Sequence, residues 1–473
     1  MPVNSFDAYP LSWRPSRAAL GAGPVYLALA AALADDIGSG ALPPGVKLPP
    51  QRELADYLDL DFTTVTRAYT VCRERGLIYG VTGRGTFVSA PDGAAASSGR
   101  AVDCAVVEGF PAAGADAAVA AARAVLARDS AANIFSYRDR DGSVRARAAG
   151  VAWLARNGVA TSPANTAVFP GAQGALSAAL VSLFKVGDAI ATDEFTYANL
   201  IALARLAHLR LIPIASDWGG MLPEALLDAA AGDRRLRGVF LMPACANPTA
   251  IALSERRKND LAAAIARCDL TLIEDDAPLL PPPRRCRPLA ARIPERSVHI
   301  AGSTRALAPG IRATWMSFPP DRAAQILSAL HHLTIKAGAL DAEILAELVL
   351  SGSAETILAA KAKRARAANS AFDEIFPDAP KRPATAFFRI LPLPDTAGHG
   401  PDIERHFREA GIGVCHSDRF SVRAGNPRSF LRISVSSTPD LPTLRRALVR
   451  LRTMVPEGDK SLPARRHRRA KFM

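Results

Sequence analysis

The stretch AGSTRALAPGIR, Ala301 to Arg312, gathers side chains suited to holding a charged small molecule. It offers hydroxyls at Ser303 and Thr304, a guanidinium at Arg305, a turn at Pro309–Gly310 and a second guanidinium at Arg312. Arg305 decides which chemistry is open. A lysine there could lose its proton and attack an aldehyde, whereas a guanidinium stays charged and cannot. Two fixed positive charges with several donors each suit a phosphate or carboxylate. No lysine is expected near the loop; the next along the chain is Lys336. The loop therefore reads as an anion site rather than a site of carbonyl chemistry.

The surrounding pattern says what must position it. From Val102 to about Val455 short apolar runs alternate with longer Ala/Leu-rich helical stretches. Strands are predicted at 166–170, 189–194, 209–215, 238–243, 270–276 and 297–303. Strands interleaved with helices predict an α/β domain with a mostly parallel sheet covered on both faces. In such sheets ligands bind beyond the carboxyl ends of the strands. Asn247, Asp275, Asp276 and the segment Ser303 to Arg305 all fall at predicted strand ends.

A different pattern fills residues 1–88, ahead of a small, polar linker at 89–101, SAPDGAAASSGRA. QRELADYL places Leu54, Ala55 and Leu58 at helical spacing, DLD breaks the chain, and Asp61 is positioned to cap a second helix from Phe62. That helix buries Val65, Ala68, Tyr69 and Cys72 and leaves Thr63, Thr64, Thr66 and Arg67 near its start. Hydroxyls and an arginine on an N-terminal turn suit the major groove of DNA, where phosphates and base edges are both in reach. GLIYGVTGRGTFV then reads as a β-hairpin with Arg84 at its tip.

Bulk composition narrows the class. The chain has 473 residues, which predicts two or three domains. Its six cysteines are scattered without a C-x-x-C pair, which argues against a disulfide framework or a zinc site and for a reducing cytoplasm. No metal ligand set is expected. No apolar run reaches the length of a membrane span and the start lacks a signal-peptide core. The net charge of +13 suggests a polyanionic partner, yet residues 1–90 are balanced, with eight basic and eight acidic side chains. Much of the concentrated excess lies in the tail at 456–473, which reads either as an electrostatic arm for DNA or as a solvated, disordered end.

The amino-terminal segment, Pro24 to Val88, resembles the winged helix-turn-helix of the GntR regulators, through LPPQRELA, TVTRAY, GLI and GRGTFV. The resemblance implies double-stranded DNA as partner, with contacts from Arg52, Thr63, Thr64, Thr66, Arg67, Arg84 and Gly85. Phe62 stands where many members have a DNA-touching arginine.

After the linker the motif order resembles the fold type I aminotransferases, which use pyridoxal 5′-phosphate (PLP), and the fusion resembles the MocR subfamily. The resemblance implies a large PLP-dependent-transferase-like domain at 102–455. It assigns Gly171, Ala172 and Gln173 to the phosphate, Tyr197 to ring stacking, Asn247 to the ring oxygen and Asp275 to the pyridinium nitrogen. Tyr137 would reach the phosphate of a neighbouring subunit, Arg312 would grip the phosphate, and Arg432 a substrate or effector carboxylate. Where the family has S-x-S-K, this chain has Gly302, Thr304 and Arg305 in place of the two serines and the lysine, and Pro309, Gly310 and Arg312 keep the register. The hydroxyl common at the position of Ala172 and the tyrosine after the aspartates, here Ala277 or Pro278, are also absent.

Three functions are weighed. A cytoplasmic, homodimeric transcriptional regulator would sense a small-molecule effector through a degenerate site that holds PLP or a related anion non-covalently, if at all. A working aminotransferase needs a lysine as imine partner and proton shuttle, which Arg305 denies it. A ligand-free dimerisation scaffold would tolerate the missing groups but leaves Asp275, Arg312 and Arg432 without a role. The regulator reading is preferred, with no catalytic residue.

Overall fold

The computed structural model of the chain describes residues 12–16, 24–43, 45–81, 85–89, 102–128, 131–276, 287–394, 400–423 and 428–455. Two compact units divide the chain, residues 1–100 and 101–473. The expectations for Arg84 at the hairpin tip, for most of the linker, for Ala277 and Pro278, and for the basic tail lie outside the described residues.

In the first unit three helices, α1 (Val25–Gly38), α2 (Gln51–Leu58) and α3 (Phe62–Glu74), precede a hairpin of β1 (Ile78–Val81) and β2 (Gly85–Val88). Its core is assembled from Leu29 and Leu33 of α1, Leu54 and Leu58 of α2, and Val65, Tyr69 and Cys72 of α3. The Tyr69 hydroxyl donates to the Pro49 carbonyl at 3.0 Å, pinning α3 to the entry of α2. Asp59 ends α2 in the left-handed region, and Asp61 starts α3 by accepting from the Thr63 amide. The hairpin pairs Ile78 with Val88 and Val81 with Gly85.

The second unit is built on a seven-stranded sheet, with strands beginning at residues 166, 314, 297, 271, 236, 189 and 210 in spatial order. Four neighbouring pairs are parallel. Thr314–Ser317 runs antiparallel to both its neighbours, a strand absent from the sequence-based expectation. Every residue from Thr166 to Phe169, Ser297 to Ile300 and Thr314 to Ser317 is buried. Residues alternate between two apolar cores: Phe240, Ile273 and Val298 face one, Val239, Leu241 and Leu272 the other. A smaller three-stranded sheet places Phe430–Ser434 between Phe388–Pro392 and Cys415–His416.

Candidate functional site

On the amino-terminal unit, α3 presents its first turn to solvent. The Asp61 carboxylate accepts from the Thr63 amide at 2.8 Å and the Thr63 hydroxyl at 2.5 Å, and these bonds hold it below the usual carboxylate range. The Thr63 hydroxyl thereby takes part in the cap, and its oxygen remains able to accept. The Thr66 hydroxyl likewise donates to Gln51 Oε1 at 2.9 Å, tying α3 to α2. Thr64 is half-buried, while Arg52 and Arg67 are exposed. Arg52 lies over the Phe62 ring at 5.7 Å and Arg67 over the Tyr26 ring at 4.9 Å. Phe62 thus supplies a platform that orients Arg52, a role the sequence did not suggest. Gly85 has φ +118°, and a Cβ there would sit 2.8 Å from Lys47 Cε, which puts a lysine beside the wing.

The second site forms at the carboxyl ends of the central strands. Gly171, φ +71°, opens the helix Gly171–Leu183, whose first amide groups have no partner within the helix. The Arg312 guanidinium lies against it so closely that a Cβ on Gly171 would stand 2.8 Å from Nη2. Gln173, in the first turn, accepts at Oε1 from the Tyr197 hydroxyl at 3.3 Å and from Asn199 at 3.2 Å. Asn199, not anticipated from the sequence, also donates to the Tyr197 oxygen at 3.0 Å. Burial pushes the Tyr197 hydroxyl up, against the pull of the neighbouring Arg305 charge.

Arg432 is almost fully buried and donates to Asn247 Oδ1 at 2.9 Å and to the Ala105 carbonyl at 2.5 Å. It stacks on Phe420 and Phe388, and its Nε has no partner. Burial draws its proton affinity down, and the nearby Arg305 charge adds to this. Asp275, buried at its strand end, acts electrostatically on Tyr197. Gln173, Tyr197, Asn247, Asp275, Arg305 and Arg432 are therefore linked in one group.

Arg305 does not sit in an open loop: Ser303–Ala306 forms a single helical turn, with Thr304 and Arg305 half-buried. The expectation that no lysine lies nearby is overturned, because Lys361 donates from Nζ to the Arg305 carbonyl at 3.0 Å. Lys361 is 56 residues away along the chain and reaches the turn from a long helix, Ser353–Ile375. Tyr137 stands apart, 77% exposed. Lys336 fixes the segment around it by donating to the carbonyls of Ser136 and Arg138 at 3.0 and 2.7 Å.

Chemically the pocket offers guanidinium groups, helix-start amides and a tyrosine, with Arg305 half-buried beside them. It can bind an anion. The donors fit a phosphate-bearing ring: Gly171 and Arg312 form a cradle for the phosphate, and Asp275 lies buried at the neighbouring strand end.

A helix-turn-helix with a wing and an aminotransferase fold in one chain define a transcriptional regulator of composite architecture. Residues 25–88 match the family described as bacterial regulatory proteins, gntR family, and residues 110–277 match aminotransferase class I and II. The chain is 32% identical over 464 residues to the HTH-type transcriptional regulator YdeF of Bacillus subtilis (strain 168), covering 96% of this chain and 99% of that one. It is 24% identical to YdfD of the same organism over 63% of this chain and 68% of the relative. Among solved structures, an archaeal alanine:glyoxylate aminotransferase is similar with a TM-score of 0.67 at 20% identity, covering 75% of this chain and 91% of that chain. Kynurenine aminotransferase from Pyrococcus horikoshii, solved in complex with PMP, is similar with a TM-score of 0.67 at 17% identity, covering 74% and 90%. The chain belongs to the GntR-family HTH-type regulators that carry an aminotransferase-like domain, the MocR-like architecture. PLP is the usual cofactor of that fold, and no described helix is long and apolar enough to cross a membrane.

Proposed function

We propose that this regulator acts in the cytoplasm as a homodimer whose aminotransferase-like domain is catalytically inactive and senses a small anionic effector. The observation that supports the reading is that Arg305, which the resemblance places at the imine position, is grouped with Tyr197 and Arg432 in one pocket. A guanidinium there binds anions and cannot form the covalent link. PLP or a related anion would be held non-covalently, its phosphate by Gly171, Gln173, Thr304 and Arg312, its ring by Tyr197, Asn247 and Asp275. Bound PLP would supply an electron sink, and Arg305, a fixed cation, would not serve as the base that moves a proton into it. Arg432 would hold the effector's carboxylate, and Tyr137, exposed on the single chain, would complete the phosphate site of a partner subunit. DNA would be met by Arg52, Thr63, Thr64, Thr66 and Arg67 of the helix-turn-helix and by Arg84 and Gly85 of the wing. Two heads on one duplex would read a pair of half-sites.

Genome-wide mapping of the bound DNA, combined with equilibrium dialysis of the purified dimer against PLP, tests this. Discrete operator sites and reversible PLP binding that Arg312→Ala weakens are expected. Turnover of any amino acid with added PLP overturns the inactive reading, and the absence of discrete sites overturns the regulator mechanism.

A further inference from the structure

Behind Asp275, on the opposite side of its strand, three ionisable side chains meet: Glu274, Asp276 and His299. Glu274 and His299 are in register on adjacent parallel strands, and each is 1% exposed. Asp276, two residues beyond Glu274, turns its carboxylate to the same side, where Oδ2 meets His299 Nε2 at 2.9 Å. One donor atom from each of the three lies within 4.8 Å of the others.

The remaining donors are only partly used. Glu274 accepts from the amides of Leu289 and Ala290, at 3.3 and 2.5 Å, which fixes the carboxylate while leaving lone pairs. Asp276 Oδ1 and His299 Nδ1 are buried and have no partner among the described residues. Buried polar groups of native proteins are nearly always satisfied, so two orphans in one cluster call for a missing partner. Charge argues the same way: two carboxylates face one imidazole, with Asp275 next in the chain. His299 also forms part of the wall of a cavity of about 250 Å³ with Thr161, Asn165, Ser297, Ser317 and Pro319.

We propose that Glu274, Asp276 and His299 form a binding site for one divalent first-row transition metal ion. One imidazole and two carboxylates are a borderline-to-hard donor set, suited to zinc or manganese rather than to thiolate-seeking ions. Zinc bonds to such donors are about 2.0–2.2 Å, which places tetrahedral ligand atoms about 3.3 Å apart. The 4.8 Å bound on one ligand atom from each residue is wider than that spacing, and side-chain adjustment closes it. The ion would lie one residue from Asp275 on the far side of the strand, a second input to the domain independent of what occupies the anion pocket.

The test uses the purified full-length protein, stripped with a chelator, equilibrated separately with Zn²⁺ and Mn²⁺, desalted, and assayed for metal by mass spectrometry. Wild type should retain one ion per chain. His299→Gln and Glu274→Gln should each lower retention at least about tenfold, since losses in the outer shell alone cost about 10–100-fold. No retained ion in the wild type, or retention equal in wild type and both variants, overturns the proposal. Should circular dichroism find both variants unfolded, anomalous scattering from metal-soaked wild-type crystals decides. A peak between the three side chains supports the site; a peak elsewhere, or none, overturns it.

Discussion

Lys361 donates from Nζ to the main-chain carbonyl of Arg305 at 3.0 Å, and its side chain is fully buried. Burial, with a lesser contribution from Arg364, pulls the ammonium down to about 8 from an ordinary 10.5. Between those values the folded chain holds fewer protons than the unfolded one. Stability is therefore gained as pH rises through this window and lost as pH falls through about 8. At pH 7 the buried charge costs about 3 kcal/mol. Lys361→Met removes that cost but strips the Arg305 carbonyl of its donor, a loss of about 1–2 kcal/mol. The variant should be more stable at pH 7 by about 1–2 kcal/mol, with the advantage falling by roughly 2 kcal/mol at pH 9.5. Urea unfolding at both pH values measures it, and an advantage equal at both would mean that Lys361 does not titrate in this range.

This contact also marks the limit of what could be read from the sequence. Arg305 and Arg312 were legible because their spacing lies within one continuous stretch, with Pro309 and Gly310 as register marks. The parallel strands were legible because each is an apolar run bounded by polar residues. The strand Thr314–Ser317 was not, since TWMS carries two hydroxyls and alternates no more clearly than a loop. Lys361 and Arg305, or Glu274 and His299, meet only through helix docking and strand register, and neither leaves a spacing signal along the chain. Phe62 read as the loss of a DNA contact, whereas its ring lies under Arg52.

On the DNA-binding unit, Arg52 and Arg67 are exposed, so replacing both with alanine leaves the core of α2 and α3 intact. Each lost phosphate contact should lower the slope of log affinity against log salt by about 0.9. The double variant should lose its footprint on an operator while keeping its circular dichroism spectrum. A footprint that persists unchanged would move the recognition surface off this face. Phe62→Ala should weaken binding less than Arg52→Ala, because it frees the guanidinium without removing its charge.

Packing of the large unit can be probed at Gly150, in the helix Val144–Arg156. A Cβ there would lie 2.4 Å from Trp315 Cδ1. Trp315 has no room to yield, being fully buried with its indole N–H donating to the Ala146 carbonyl at 2.8 Å. Alanine favours a helix interior over glycine by about 1 kcal/mol, whereas overpacking costs about 1–3 kcal/mol. Three ring atoms closer than 3 Å make overpacking the larger effect. Gly150→Ala should lower the unfolding free energy by about 1–2 kcal/mol in urea titration, and a stabilised variant would mean that the Trp315 ring moves.

The anion pocket gives the sharpest test of function. On the proposed reading, Arg305 puts a guanidinium at the place where covalent chemistry would need a neutral amine, and among the described residues Arg312 and Arg432 add further guanidiniums to the pocket. Lys361 approaches from the long helix Ser353–Ile375 and donates to the Arg305 backbone carbonyl. The purified protein with added PLP should show the absorbance of free cofactor, and borohydride should leave no pyridoxyl group on the chain. Arg305→Lys should restore a borohydride-stable link, since Gly171, Tyr197, Asn247 and Asp275 are all present to receive the ring and phosphate. Turnover should stay weak in that variant, because Ala172 offers no hydroxyl to the phosphate. Mass spectrometry of tryptic peptides reads both outcomes. A pyridoxyl adduct on the wild-type chain at Lys361 would reverse the assignment and make that buried lysine the carbonyl-reactive residue of the domain.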